Sequence, residues 1–352
     1  MNSFDDGRRR PVLHALIPGL FSAGTDHDVD PSPTQLPLLE SCLARADVVE
    51  GLPPDVDSQL CSLFGLQPFP DRDLPAGALM REAVCGDAGD SFWLCADPVH
   101  IEADHRELFL SAVAPELTAA EAASLCDAIN AFGSGEDGTL LSTEPAHWHL
   151  RTSRPLSLST IPLEAVRGGS MRDKMPRGED GRRWCTWLTE VQMVLHDHPV
   201  NRARAAAGKP VVNGLWLWGG GVLPSRRDGA PAMLWDDSLL GRAVVVWAGG
   251  VCRPVPATPE CWTREAVVDD AGDRVVVLRD LQSASLTNDV AGVHSALAAL
   301  EGRWLPAFVT ALRTRRVAAL NLYPGDGRRF SISPGQRWRI WRRSRPLAEW
   351  AR

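Results

Sequence analysis

Residues 196–224 read HDHPVNRARAAAGKPVVNGLWLWGGGVLP, a basic turn carrying His and Asn joined to an apolar run that ends in three glycines. Val211, Val212, Leu215, Trp216, Leu217 and Trp218 make the nearly unbroken apolar stretch expected of a strand buried on both faces, as in a parallel sheet. Gly219, Gly220 and Gly221 let the backbone turn and approach a ligand closely. A plain buried turn is the other reading of the same glycines. The run predicts a central parallel strand over 211–218, beside a second apolar run at 12–17 that also ends in a glycine turn. It is not a dinucleotide fingerprint, because Val222, Leu223 and Pro224 stand where a helix-opening x-x-G belongs.

Working outward, the pattern alternates strand and helix. A strand at 12–17 is followed by an Asp- and Pro-rich loop, a helix near 36–46 and a second short helix before residue 67. Strands are predicted at 92–96 and 108–113. Thr118, with Glu121 three residues on, forms a capping box ahead of the stripe Ala122, Leu125, Ile129 and Phe132. Strands at 140–141 and 148–150 complete a small α+β lobe. Trp184, Trp187, Leu188, Val191, Val194 and Leu195 recur at helical spacing until Pro199 stops them. Beyond the glycines come strands at 243–248 and 274–278, a helix at 290–312 and a strand at 317–323, so the class is α/β.

The chain has 352 residues, 44% of them hydrophobic, enough for one large domain with an insertion or for two domains. Lys174 and Lys209 are its only lysines among 37 basic residues, and it has 13 Trp against 1 Tyr, the bias of a GC-rich bacterial genome. A net charge of −7 argues against generic nucleic-acid binding, which needs a basic field to neutralise phosphates. Eight cysteines stand without a C-x-x-C pair, which removes the common zinc and redox motifs and implies reduced core residues. No stretch approaches the ~18 apolar residues of a membrane-spanning helix. The expected setting is the bacterial cytoplasm, with no membrane partner.

HPVNRARAAAGKPVVNGLWLWGGG, residues 198–221, resembles the hPvN…R…G…N…WLWG.G block of the archaeal-type cofactor-independent phosphoglycerate mutases, in the alkaline-phosphatase superfamily. The resemblance is closer, and nearly end to end, to the bacterial RpfE-type regulatory proteins, through LPLLESCLARAD (36–47), ADPVH (96–100), EVQMVLHDHPVN (190–201) and RWRIWRRSRPL (337–347). It implies an alkaline-phosphatase-like three-layer α/β core with a parallel-rich sheet, built from 1–79 and 166–352, with an inserted α+β lobe at 80–165. Enzymes of that superfamily hold two divalent metals with Asp and His and use a Ser or Thr nucleophile. The matching elements differ here: the first strand runs into Ile17, Pro18 and Gly19 where Asp-Gly is expected. No His follows four residues after Asp280, and the late LNLYPGDG (320–327) has Asp326 without the accompanying His. No metal and no cofactor are therefore expected. The implied function is binding of a small phosphorylated or carboxylated metabolite by a catalytically degenerate, regulatory member; the alternative is an active metal-dependent phosphomutase or phosphatase with a non-standard site.

The candidate ligand-binding residues are Asn201, Arg204, Asn213, Trp218, Gly219, Gly220, Gly221, His196, His198, Glu190, Asp97 and His100. Arg204, like Arg202, offers charge-assisted bonds to an anion, or else a solvated surface. Asn201 and Asn213 flank the loop as ligands or as turn formers. His196 and His198 titrate near neutrality, and they equally suit a helix C-terminus whose dipole favours cations. Glu190 faces a cleft or solvent. Asp97, His100, Glu102, Asp104 and His105 are metal-capable groups in one acidic segment, as are Asp26, His27, Asp28 and Asp30, which a polar turn also explains. Ser41, Ser134 and Ser170 lack the context of a nucleophile elbow. The arginine-rich end, with Trp338 and Trp341, reads first as an amphipathic edge strand over 337–342 and second as an anion or nucleic-acid patch. A protein-interaction module would instead display Trp93, Trp187 and Trp350 on its surface.

Overall fold

In the computed structural model, the described residues are 10–21, 35–66, 73–103, 107–111, 115–133, 138–226, 233–259, 272–339 and 341–351. Asp26, His27, Asp28, Asp30, Asp104, His105 and Ser134 fall outside them. The chain divides into two compact units, one formed by Met1–Gln67 with Arg227–Arg352 and the other by the continuous segment Pro68–Arg226. Residues 68–79 and 166–226, assigned from sequence to the core, thus lie in the second unit.

The first unit carries a seven-stranded sheet in the order β10 (Val251–Arg253), β9 (Met233–Trp235), β11 (Arg274–Val277), β1 (Val12–Leu16), β12 (Ala319–Tyr323), β13 (Arg329–Ile332) and β2 (Asp47–Val49). The first five run parallel, and β13 and β2 each pair antiparallel with their neighbour. β1 is central, as its apolar run predicts, with Leu13, Ala15 and Leu16 fully buried. Its core face packs with Leu39 and Leu43 of α1 (Pro37–Arg45), with Trp304, and with Leu305, Phe308 and Leu312 of α10 (Leu305–Arg313). α2 (Val56–Leu63) is capped by Asp55, and α8 (Asp280–Leu286) leads into α9 (Val290–Ala299). The single helix predicted over 290–312 is α9, a π turn at Leu300–Trp304 and α10; Pro306 has no N–H to continue a regular ladder there.

The run predicted as a strand over 243–248 is instead the helix α7 (Leu239–Ala248). Ser238 accepts from the Gly241 N–H at 3.0 Å to start it, and Gly249, at φ +73°, ends it. Local caps override the strand preference of its three valines.

The second unit is built on an antiparallel sheet in the order β6 (Gly138–Glu144), β7 (His147–Thr152), β3 (Phe92–Val99) and β8 (Gly214–Gly221), beside the hairpin β4 (Ile101–Ala103) and β5 (Leu108–Leu110). α4 (Ala119–Phe132), with the capping box expected at Thr118 and Glu121, covers one face with α5 (Gly181–His196). Trp148, Trp184 and Trp187 are buried in that layer. α3 (Ala76–Cys85) lies against β3 and β8, with Ala78 packed on Trp93. Trp93 and Trp187 are thus buried and Trp350 stacks edge-on against Phe330 in the first unit, none displayed as an interaction module requires.

The run over 211–218 is therefore not a central parallel strand beside residues 12–17. It becomes β8, the edge strand of the second unit, antiparallel to β3 with Asp97 opposite Trp216 and Cys95 opposite Trp218. It is apolar on both faces because helices cover both, a condition that does not require parallel neighbours. The glycines serve the same packing. Gly219 has φ +67°, and a Cβ there would stand 2.6 Å from that of Ala76; at Gly221 it would stand 2.6 Å from the Cβ of Pro75. The start of α3 lies directly on the strand end.

Candidate functional site

The basic turn of residues 198–207 is a helix, α6 (Pro199–Ala206), with Pro199 in its first turn and the His198 ring accepting from the Val200 N–H at 3.2 Å. Asn201 is buried, donates to Leu195 O (2.7 Å) and Val212 O (2.6 Å), and accepts from the Val212 N–H (2.9 Å). Arg204, 3% exposed, donates from Nε to Pro210 O and from Nη1 to Glu116 O, both at 2.9 Å, and lies 3.2 Å from Glu121. Asn213 makes two bonds to the Ile101 backbone, and the His100 ring bonds Val211 O at 2.9 Å. These four side chains lock the 210–213 segment to its neighbours. Glu190 and His196 are exposed on α5, and His198 titrates below its ordinary value through burial and the nearby Arg202.

The glycine end is held by the chain's own carboxylate. Asp73 accepts from the N–H of Thr160 at 3.1 Å, from its hydroxyl, and from the Gly220 amide, while the Gly219 N–H donates to Thr160 Oγ1 at 3.1 Å. Burial pushes the Asp73 carboxyl up despite these donors.

Two of the predicted residues do meet. Asp97, 1% exposed in the middle of the sheet, accepts from Trp218 Nε1 at 2.7 Å and from His147 Nδ1 at 3.2 Å. His147 keeps 34% of its side chain exposed. Burial alone would lower its pKa, but the hydrogen bond and charge of Asp97 outweigh it and raise the value. His149, two residues on and wholly buried, is pushed down to about 4 by desolvation. Its Nδ1 meets Thr143 Oγ1 at 2.7 Å while Arg81 donates to that oxygen at 3.0 Å, which leaves Nε2 as the ring's other polar atom. That Nε2 has no partner among the described residues. Neither histidine was singled out from sequence. The available signal was HWH at the start of a strand, since i, i+2 spacing puts both rings on one sheet face.

The carboxyl ends of parallel strands are where ligands bind in open α/β sheets. In the first unit this edge carries Asp236 after β9 and Arg279 after β11. Arg279 grips Asp236 through Nε and Nη2, both at 3.1 Å, and Nη2 also reaches Asp57 of α2 at 2.9 Å and Ser238 Oγ at 3.2 Å. Burial, which alone would lower the Arg279 pKa, is outweighed by the two carboxylates, and the guanidinium stays charged; desolvation in turn raises the Asp57 carboxyl. After β12, Asp326 is paired with Arg328, whose Nε donates at 2.6 Å. The two divalent ions implied by the resemblance need several anionic or imidazole ligands each. The described residues do not fit them: no three His, Cys, Asp or Glu side chains among them converge, and the two acids that meet do so on a guanidinium.

No family model matches the chain. It is 29% identical over 216 residues to a probable 2,3-bisphosphoglycerate-independent phosphoglycerate mutase of Geobacter sulfurreducens, covering 60% of this chain and 53% of that protein. It is 26% identical over 209 residues to a 2,3-bisphosphoglycerate-independent phosphoglycerate mutase of Methanosarcina acetivorans, covering 53% and 49%. The chain thus spans about half the length of these curated relatives. A solved structure, the PH0037 protein from Pyrococcus horikoshii, shares the fold with a TM-score of 0.55 at 13% identity, over 93% of this chain and 88% of that one. The chain is thus similar in sequence, over about half their length, to 2,3-bisphosphoglycerate-independent phosphoglycerate mutases, and it has a mixed α/β architecture with a mostly parallel central sheet.

Proposed function

We propose that this chain is a phosphoglycerate-mutase-like protein of the bacterial cytoplasm that binds a small phosphorylated or carboxylated metabolite and does not catalyse metal-dependent phosphoryl transfer. A regulatory role follows from the resemblance to RpfE-type proteins. The observation that carries the reading is Arg279, whose guanidinium occupies the space between Asp57 and Asp236 at the carboxyl edge of the parallel sheet. A buried arginine there neutralises the acids that a divalent ion would need, and it cannot be displaced by losing a proton. Homology supports the metabolite class, because the curated relatives are phosphoglycerate mutases.

The test combines elemental analysis of the purified chain, a mutase assay with added Mn²⁺ or Mg²⁺, and calorimetry with 3-phosphoglycerate, glycerate and inorganic phosphate. Saturable binding of at least one probe without turnover is the expected outcome. Two divalent ions per chain together with interconversion of phosphoglycerates would overturn the reading in favour of an active enzyme, and no binding of any probe would remove its ligand.

A further inference from the structure

Asp97 is a carboxylate almost completely withdrawn from water, with both oxygens bonded, one to the Trp218 indole and one to His147. A buried carboxylate that keeps its charge needs a compensating cation nearby, and the group bonded to it that can supply one is the His147 ring. With Nδ1–H committed to Asp97, the position left to exchange protons or meet a ligand is Nε2. The ring stands at the start of β7 with a third of its side chain open to solvent. The charged groups that face it are Asp97 from β3, Glu144 from β6 and Arg167 from the segment after the 3-10 turn at Leu163–Ala165, with His149 beneath it on β7.

We infer that His147 Nε2, backed by Asp97 and Trp218, receives an oxygen of the metabolite's phosphate or carboxylate. This rests on the proposed metabolite-binding function and locates its contact. An anion is favoured over a metal ion because the carboxylate behind the ring stabilises its protonated form, and a protonated imidazole donates to an anion and repels a cation. Of the two further charges that act on the ring, Arg167 adds the same sign and Glu144 the opposite one. A polar cleft of about 570 Å³ in this unit is lined by Ser91, Arg151, Ser153 and Arg154. It lies at the far end of β7, five residues or about 17 Å along the strand, so the two positions can be told apart.

The experiment follows imidazole resonances by NMR, with the His147 signals assigned by their loss in His147→Gln, while 3-phosphoglycerate, glycerate or inorganic phosphate is titrated in. Calorimetry gives the affinities. The His147 ring signals are expected to move saturably, and His147→Gln, folded but with a lowered thermal midpoint because Asp97 loses its counter-ion, should weaken binding about ten- to a hundredfold at a temperature well below that midpoint. Affinity should fall as pH rises through the elevated His147 pKa, and Asp97→Asn should move that fall to lower pH. Binding of glycerate but not phosphate assigns the carboxylate as the contact, and the reverse assigns the phosphoryl group. Affinity within twofold of wild type in folded His147→Gln, a ring signal that stays still at saturation, or a loss that appears in Arg151→Gln instead overturns the inference and leaves the proposed function standing. Absence of binding by any probe to the unmodified chain removes both.

Discussion

Arg204 shows how a residue chosen for an anion becomes part of the scaffold. Its guanidinium bonds the carbonyls of Pro210 and Glu116 and pairs with Glu121, and it is almost wholly buried. Truncation leaves those acceptors without a donor and an adjacent carboxylate without its cation, so Arg204→Ala is expected to lower stability by about 2–4 kcal/mol in urea unfolding. An unchanged midpoint would show that the arginine is dispensable to the fold. His149 sets a second, pH-dependent expectation. Its folded pKa, near 4, lies below the ordinary imidazole value of 6.5, so the unfolded chain binds the extra proton first as pH falls. Stability should therefore drop between pH 6.5 and 4, by roughly 3 kcal/mol if the whole shift is expressed. His147, whose pKa is raised, works in the opposite sense, adding stability below pH 6.5 that is lost as pH rises through its folded value. Unfolding measured across this range in His149→Phe isolates the first effect: the variant should lose the acid-side slope, and a slope identical to wild type would assign it to other groups.

At the scale of elements, α3 and β8 depend on each other's small residues. The Gly219 backbone is left-handed, and any side chain there would meet Ala76 at 2.6 Å. Gly219→Ala should thus combine backbone strain with a helix pushed off its strand, a loss of about 2–4 kcal/mol by thermal or urea unfolding. Gly86→Ala is the control: it shares a positive φ but has nothing within 4 Å, so it should suffer only the backbone part, about 1 kcal/mol. Equal losses in the two variants would sink the packing account. This contact also marks where the sequence could be read and where it could not. Strongly periodic or capped elements were legible: α4 through Thr118 and Glu121, α5 through its tryptophan stripe, β1 through its apolar run. α3 was not, because AGALMREAVC has small residues where a stripe would need large ones, and those are small because β3 and β8 approach so closely. The arginine-rich end forms a 3-10 turn at Gln336–Trp338, not the expected edge strand, with Arg339 and Arg342 bonded to the carbonyls of Arg45 and Ala46. In the candidate site, Asp97 and Trp218 were legible as polar and aromatic residues near a strand end. Their partner His147 and the Asp57–Arg279–Asp236 cluster were not, since those contacts join residues 43 to 222 positions apart.

Across the whole molecule, a chain of net charge −7 places buried and half-buried arginines beside its acids as counter-ions. Arg204 with Glu121, Arg279 with Asp57 and Asp236, and Arg328 with Asp326 each do so at a different point of the two units. Arginine suits this because its charge does not titrate and its planar fork satisfies both oxygens of a carboxylate, as Arg279 does for Asp236. Removing such a cation is costly even where a pair adds little net stability, since the remaining charge stays buried. Arg279→Ala is therefore expected to destabilise the protein at pH 7 by about 3–5 kcal/mol, and Arg279→Lys, which keeps the charge and loses the fork, by about 1–2 kcal/mol. The pH dependence separates this account from simple loss of packing. Burial already raises the Asp57 carboxyl against the attraction of Arg279; without the guanidinium it rises further, and a carboxyl raised above its unfolded value loses stability as pH increases through it. The deficit of Arg279→Ala relative to wild type should accordingly shrink as pH falls from 7 to 5, while an Arg279→Met variant that restores apolar volume should keep the same trend at a smaller deficit. A deficit independent of pH in both variants would mean that Arg279 acts through its hydrocarbon stem and not as the counter-ion of Asp57 and Asp236.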